Sequence, residues 1–324
     1  MNSFELSKTA AKRLAGKAVL TPLLRSDLLD AELGGRLFIK AECLQRTGSF
    51  KFRGAFNKLT SLDAATRNAG VVAFSSGNHG QAVALAARLY DTNATIIMPK
   101  DAPAIKIENT RRYGAKIVLY DRVSEDRESI AAGICSETGA SLVPPFNDRE
   151  IMAGQGTMAL ELLEQIGAAG ERLDAVLAGS SGGGLVGGIA AVCAEAAPHV
   201  RVHSVEPEGF DDLKRSLELG ARVRNSRISG SICDALLSAI PGIIPFEILK
   251  AHASPGFVVS DDEVRHAMAT AFRYFRLVIE PGGAAALAAV LSGKCPIEGR
   301  TVVVVASGGN VDPSLFKDVL NTMH

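Results

Sequence analysis

Short runs of β-branched residues alternate with alanine-rich stretches along most of this chain, and that alternation predicts α/β architecture. Val71–Phe74 predicts a strand, followed by the turn Ser75-Ser76-Gly77-Asn78-His79-Gly80 and a helix from Gln81 to about Leu89. Ala94–Met98 predicts the next strand, stopped by Pro99; a helix over Ala104–Tyr113, ended by Gly114, leads to a strand at Lys116–Tyr120. Downstream the pattern predicts a helix over Gly156–Gln165, a strand at Ala175–Ala178 and a glycine-rich turn into a helix over 185–196. A strand at Val200–Val205, helices near 211–219, 261–276 and 282–292, and a strand at Thr301–Ala306 complete a second sheet. No repeat, low-complexity segment or long Pro/Ser linker interrupts the series. The expectation is a larger unit, residues 1–62 plus 148–324, with a smaller unit, 63–147, inserted in it and a cleft between them.

Length agrees, since 324 residues exceed what one hydrophobic core usually holds. Lys plus Arg equals Asp plus Glu at 35 each, and no basic cluster suggests nucleic acid or an anionic membrane as partner. The opening MNSFELSKTAAKRLAGK lacks the apolar core of a signal peptide, and no later run is long enough to span a bilayer. Cys43, Cys135, Cys193, Cys233 and Cys295 are scattered and without CxxC spacing, so they read as reduced thiols of a cytoplasmic protein. The histidines form no HExxH or paired-ligand pattern.

Lys51 changes the picture most. It lies in Thr47-Gly48-Ser49-Phe50-Lys51-Phe52-Arg53-Gly54-Ala55, between two phenylalanines. Desolvation there disfavours the ammonium, and an uncharged amine is what a Schiff base with an aldehyde cofactor needs. A lysine whose stem packs on Phe50 and Phe52 while its head reaches water fits the segment equally well. Further along, Ser180-Ser181-Gly182-Gly183-Gly184-Leu185-Val186-Gly187-Gly188 joins a strand to a helix. Such a turn can aim several N–H groups and a helix N-terminus at one phosphate. It is neither a Walker motif nor a good dinucleotide fingerprint. Glycines also serve close helix–strand packing, but a second strand-to-turn run, Ala306-Ser307-Gly308-Gly309-Asn310, weakens that alternative.

Taken with Ser75–Gly80, Ala153-Gly154-Gln155-Gly156-Thr157, Glu206-Pro207-Glu208 and Glu280-Pro281, in this order, these segments resemble the fold-type II pyridoxal-phosphate enzymes. The resemblance covers essentially the whole chain and points to the branch of serine/threonine dehydratases and serine racemases. It implies a tryptophan-synthase-β-like α/β fold, two open twisted domains with the active site in the cleft, and a homodimer. The length resembles the catabolic dehydratases that lack a regulatory domain. By the same resemblance, Lys51 carries the cofactor and acts as base at the substrate Cα. Phe50, Ser181, Gly182, Gly183, Gly184 and Leu185 surround the cofactor, Asn78 meets its phenolic oxygen, and Ser307 its pyridine nitrogen. Ser181 stands where the family usually has the first of four glycines; its N–H and hydroxyl can still serve the phosphate. The substrate is expected against Ser75, Ser76, Gly77, Asn78 and His79, the last with no catalytic part.

Ser307 is neutral and does not hold a pyridine nitrogen protonated as an aspartate would, which favours β-elimination over transamination. The expected reaction removes water from a 3-hydroxy amino acid, serine, threonine or 3-hydroxyaspartate, and yields a 2-oxo acid and ammonia. Serine racemases imply a second base at Ser76 and hence racemisation as an alternative activity. They also imply a divalent cation, Mg²⁺ or Ca²⁺, on Glu206, the Phe210 carbonyl and Asp212, although carboxylates are welcome at any helix start. Arg127 matches an arginine near the substrate's distal end, suited to a second carboxylate, though the run Asp121–Glu128 also reads as a solvated helix with intrahelical ion pairs. Ser238 lines the same pocket in this reading. The stretch Asp234-Ala235-Leu236-Leu237-Ser238 departs from the Ala-Asp-Gly form common in threonine dehydratases, which puts threonine in doubt. Two competing readings are PLP-dependent β-replacement and a catalytically silent cofactor or amino-acid binding protein.

Overall fold

The computed structural model describes residues 2–75, 77–102 and 104–321. Its strands, in chain order, are β1 (Leu23–Arg25), β2 (Arg36–Lys40), β3 (Val71–Phe74), β4 (Ala94–Pro99), β5 (Lys116–Tyr120), β6 (Ser141–Leu142), β7 (Ala175–Gly179), β8 (Arg201–Pro207), β9 (Ser254–Val259) and β10 (Thr301–Val305). They form a six-stranded sheet ordered β1-β2-β10-β7-β8-β9 and a four-stranded sheet ordered β5-β4-β3-β6. β1 runs antiparallel to β2, and the other neighbouring strands are parallel.

β10 shows why the larger sheet is centred where it is. All five of its residues are buried, and an unbroken β-branched run suits a strand covered on both faces. Side chains alternate across the sheet. Val302 and Val304 join the core built on helix Pro281–Leu291, while Val303 and Val305 join the one built on helices Arg149–Ala168 and Gly184–Ala196. The smaller sheet is covered likewise. Val71, Ala73, Ile96 and Met98 pack with Phe52, Phe56 and helix Asn78–Leu89; Val72, Phe74 and Ile97 pack with Tyr120 and Ala131.

Helix Lys51–Ser61 packs on Asn78–Leu89 and on Arg149–Ala168, so it touches both halves. Glycine makes the second contact close: a Cβ on Gly154 would lie 2.6 Å from the Arg53 carbonyl oxygen. Arg53 is fully buried in this crossing and bonds Glu42 at 2.8 Å and Glu161 at 2.7 Å. The start of the Lys51 helix is thereby fixed to the larger sheet.

Several boundaries differ from the sequence reading. The helix expected over Gly156–Gln165 begins at Arg149, because Asp148 caps it by accepting from the N–H groups of Glu150 and Ile151, and its internal glycines meet neighbouring backbone instead of breaking it. The helix expected over 261–276 is α-helical only from Asp261 to Thr270; a π-helical turn, Ala271–Phe275, follows and ends at Arg276 with φ 59°. Asp121–Asp126 is not a helix with intrahelical ion pairs: Asp121 accepts from the N–H groups of Val123 and Ser124, and Arg122 reaches Asp101 at 2.7 Å. Among the described residues no helix is long and apolar enough to cross a membrane, and the five cysteines are unpaired.

Candidate active site

The carboxyl ends of β3, β7 and β10 open onto one cavity of about 500 Å³ between the sheets, the usual place for a ligand in parallel α/β architecture. Lys51, the first residue of its helix, projects into it. Its Nζ donates to the Pro145 carbonyl at 2.8 Å and lies 5.1 Å from the centre of the Phe50 ring. Burial lowers its pKa to about 8, because the charged form loses water it cannot replace.

Facing it is the turn after β7. Gly183 adopts φ +89° as the N-cap of helix Gly184–Ala196, a conformation that favours glycine, and no side chain among the described residues caps that helix. Its first N–H groups therefore lie open at the positive end of the helix dipole. A Cβ at Gly182 would overlap the Phe146 ring, so this turn tolerates no side chain there. The Ser181 hydroxyl bonds that of Ser238, and the Ser180 hydroxyl is buried with no hydrogen-bond partner among the described residues. Leu185 lines the same wall. The open N–H groups, the orphaned hydroxyl and a facing amine of lowered pKa fit a phosphate-bearing aldehyde.

The other two turns meet nearby. Ser307, buried, faces the cavity, and its carbonyl accepts from the Phe50 N–H at 3.1 Å, which ties it to the Lys51 segment. Asn78 donates to Glu280, and its Oδ1 accepts from Asn310 at 2.8 Å. The N–H of Gly77 is taken by the Ser75 hydroxyl at 3.0 Å. His79 donates from Nε2 to the Val143 carbonyl at 2.9 Å; burial and the neighbouring Lys51 lower its pKa to about 3, so it stays neutral. Ser76 lies outside the described residues. Arg127 reaches the cavity with its guanidinium 4.9 Å from the Phe74 ring centre, and among the described residues no carboxylate pairs with it.

Glu206, Phe210 and Asp212 are buried but not at the cavity. Glu206 accepts from the N–H groups of Leu213 at 2.9 Å and Lys214 at 2.8 Å. Asp212 accepts from Asn225 at 2.6 Å, while its other oxygen is buried without a partner among the described residues. Burial, then the nearby Asp212, raises Glu206 well above the usual carboxylate range, and burial pushes Asp212 up to about 6. Among the described residues no three His, Cys, Asp or Glu side chains gather as a metal group, so a cation here would need backbone or water oxygens as well. Asn225 also donates to the Ser238 carbonyl at 2.9 Å, linking this pair to the Ser181 turn.

The sequence reading missed Lys106, Asp234 and the side chain of Glu280 as cavity residues. Lys106 sits within an ordinary helical pattern, and its partners lie far downstream, so no local signal marks it.

The family described as "Pyridoxal-phosphate dependent enzyme" matches residues 16–308. The chain belongs to the pyridoxal-phosphate-dependent enzymes. An L-threo-3-hydroxyaspartate ammonia-lyase of Pseudomonas sp is 44% identical over 311 residues, 96% of each chain. A serine racemase of Arabidopsis thaliana is 38% identical over 94% of this chain and 92% of its own. The crystal structure of a threonine deaminase from T.th. matches with a TM-score of 0.90 at 41% identity, over 95% of this chain and 98% of that one. Within the pyridoxal-phosphate-dependent enzymes the chain thus falls in the fold-type II branch of hydroxyamino-acid dehydratases and serine racemases, and its cofactor is pyridoxal phosphate.

Proposed function

We propose that this enzyme is an ammonia-lyase that removes water from a 3-hydroxy amino acid and yields a 2-oxo acid and ammonia, with 3-hydroxyaspartate as the preferred substrate. The reaction rests on Lys51, an amine of lowered pKa facing an open helix start across one cavity. Bound there, pyridoxal phosphate withdraws electrons from the substrate Cα and makes its proton removable. Lys51 would hold the cofactor aldehyde in the resting enzyme and, once the substrate amine has displaced it, would accept that proton as the free amine. The N–H groups at Gly182, Gly183, Gly184 and Leu185, with Ser181, hold the phosphate, Asn78 the phenolic oxygen, and Phe50 packs beside them. Ser307 offers the ring nitrogen a neutral hydroxyl, which favours expulsion of the β-hydroxyl. Loss of water across Cα–Cβ and hydrolysis in solvent then give the products.

The Arg127 guanidinium carries the choice of substrate. It stands over Phe74 with no carboxylate partner among the described residues, in the cavity that receives the substrate. A planar fork without a partner suits a second carboxylate. Ser75, Gly77 and Asn78 would hold the α-carboxylate, with His79 packed behind them and Ser238 on the far wall. Racemisation, assigned to Ser76, is the lesser activity. Glu206, Asp212 and the Phe210 carbonyl would hold Mg²⁺ or Ca²⁺, supported by the orphaned Asp212 oxygen. The same reading makes 1–62 with 148–324 the cofactor lobe and 63–147 the smaller lobe. It places the enzyme as a homodimer in the cytoplasm, where five unpaired cysteines stay reduced.

The test compares kcat/KM on L-threo-3-hydroxyaspartate, L-serine and L-threonine. Arg127→Ala is expected to cost hydroxyaspartate about tenfold or more, the scale of a lost charge-assisted pair, and serine little. Equal losses on both would remove Arg127 from substrate selection.

A further inference from the structure

Lys106 has no part in holding the cofactor, yet it reaches the same cavity. It rises from helix Ala104–Arg112 in the smaller half and is only 5% exposed. Its Nζ donates to Asp234 Oδ2 at 2.9 Å and lies 3.6 Å from Glu280 Oε2. Both acids belong to the larger half, Asp234 in the turn Asp234–Leu236 and Glu280 just before helix Pro281–Leu291. The lysine stem runs against Gly77, where a Cβ would sit 2.6 Å from its Cδ. The ammonium is therefore held beneath the turn that starts helix Asn78–Leu89, between two carboxylates that line the cavity.

Counting charge decides what this arrangement does. Glu280 is buried, and its Oε2 has no hydrogen-bond donor among the described residues, so the nearby ammonium is the compensation it has. Arg122 and Asp101, which also line the cavity, offset each other in an ion pair at 2.7 Å, and Lys51 is taken up by the cofactor. Without Lys106, the Asp234 and Glu280 carboxylates would therefore stand against the guanidinium of Arg127. In a partly enclosed site such charges are poorly screened. A substrate with one carboxylate would meet modest repulsion, and one with two would meet much more.

We propose that Lys106 is a specificity-determining residue: by neutralising Asp234 and Glu280 across the cleft, it clears the cavity for a substrate with a second carboxylate. The inference rests on the reading that the cavity takes a dicarboxylic substrate. A lysine with only a structural part would, when lost, weaken every ligand alike; this one acts on the second carboxylate.

Calorimetric titration of the holoenzyme with succinate and with butyrate tests it, since these unreactive acids of equal length differ in the second carboxylate. Wild type is expected to bind succinate more tightly. Lys106→Met should raise the succinate Kd by about tenfold or more and the butyrate Kd by less than about threefold, as expected when like charges oppose one ligand only. Adding Asp234→Asn should return succinate most of the way to wild type. Equal weakening of both acids, or no rescue, overturns the proposal. If Lys106→Met does not fold, Asp234→Asn alone decides: tighter succinate with unchanged butyrate supports it, and unchanged succinate overturns it. A wild type with no preference for succinate would instead sink the dicarboxylate reading itself.

Discussion

A lysine amine with a pKa of about 8 is mostly ammonium below that pH and mostly free above it. Only the free form attacks an aldehyde, so cofactor-free protein should take up pyridoxal phosphate faster as pH rises through about 8, levelling off above it. Stopped-flow absorbance would show this, and a rate flat across that range would mean that Lys51 is not the attacking group. Borohydride reduction followed by peptide mass mapping should place the pyridoxyl label on Lys51. The chemistry of this residue was legible only beside the glycine-rich turns elsewhere in the chain, since its flanking phenylalanines fit a lysine that reaches water equally well. The surroundings of Lys106, Asp234 and Glu280 were not, because an ion pair between distant segments leaves no local pattern. Ser75, Asn78 and Ser307 stood out only as members of longer motifs.

Among the elements, helix Lys51–Ser61 depends on the buried contacts of Arg53 with Glu42 and Glu161. Arg53→Met would leave Glu42 buried without its counter-charge and should cost about 3–5 kcal/mol of stability, read as a lowered midpoint in urea. A loss within experimental error would show that the network is not what fixes this helix. Gly182→Ala forces a Cβ into the Phe146 ring, so the turn should shift and cofactor dissociate faster, with the fold retained by circular dichroism. Strands were legible at this scale, because β10 and β7 are apolar runs buried on both faces. Helix ends were less so. Asp148 as a cap and the π-helical turn at Ala271–Phe275 depend on side-chain bonds and packing that periodicity does not report.

Taken whole, the molecule draws its site from two sheets, so anything that stiffens one half is felt at the cavity. Buried Asp212, beside buried Glu206, connects through Asn225 and Ser238 to the Ser181 turn. Mg²⁺ or Ca²⁺ should raise the melting temperature, chelation should lower it, and Asp212→Asn should remove the response. A melting temperature indifferent to all three would leave the pair as a helix cap. The two sheets were foreseen from strand and helix order, whereas the contacts that cross the cleft emerge only in three dimensions. Lyase chemistry at Lys51 is read most directly from both products measured together. Wild-type enzyme with pyridoxal phosphate should release ammonia and 2-oxo acid in equal amounts from L-threo-3-hydroxyaspartate, and Lys51→Ala should release neither. Equal product from the variant, or none from wild type with any 3-hydroxy amino acid, would contradict it.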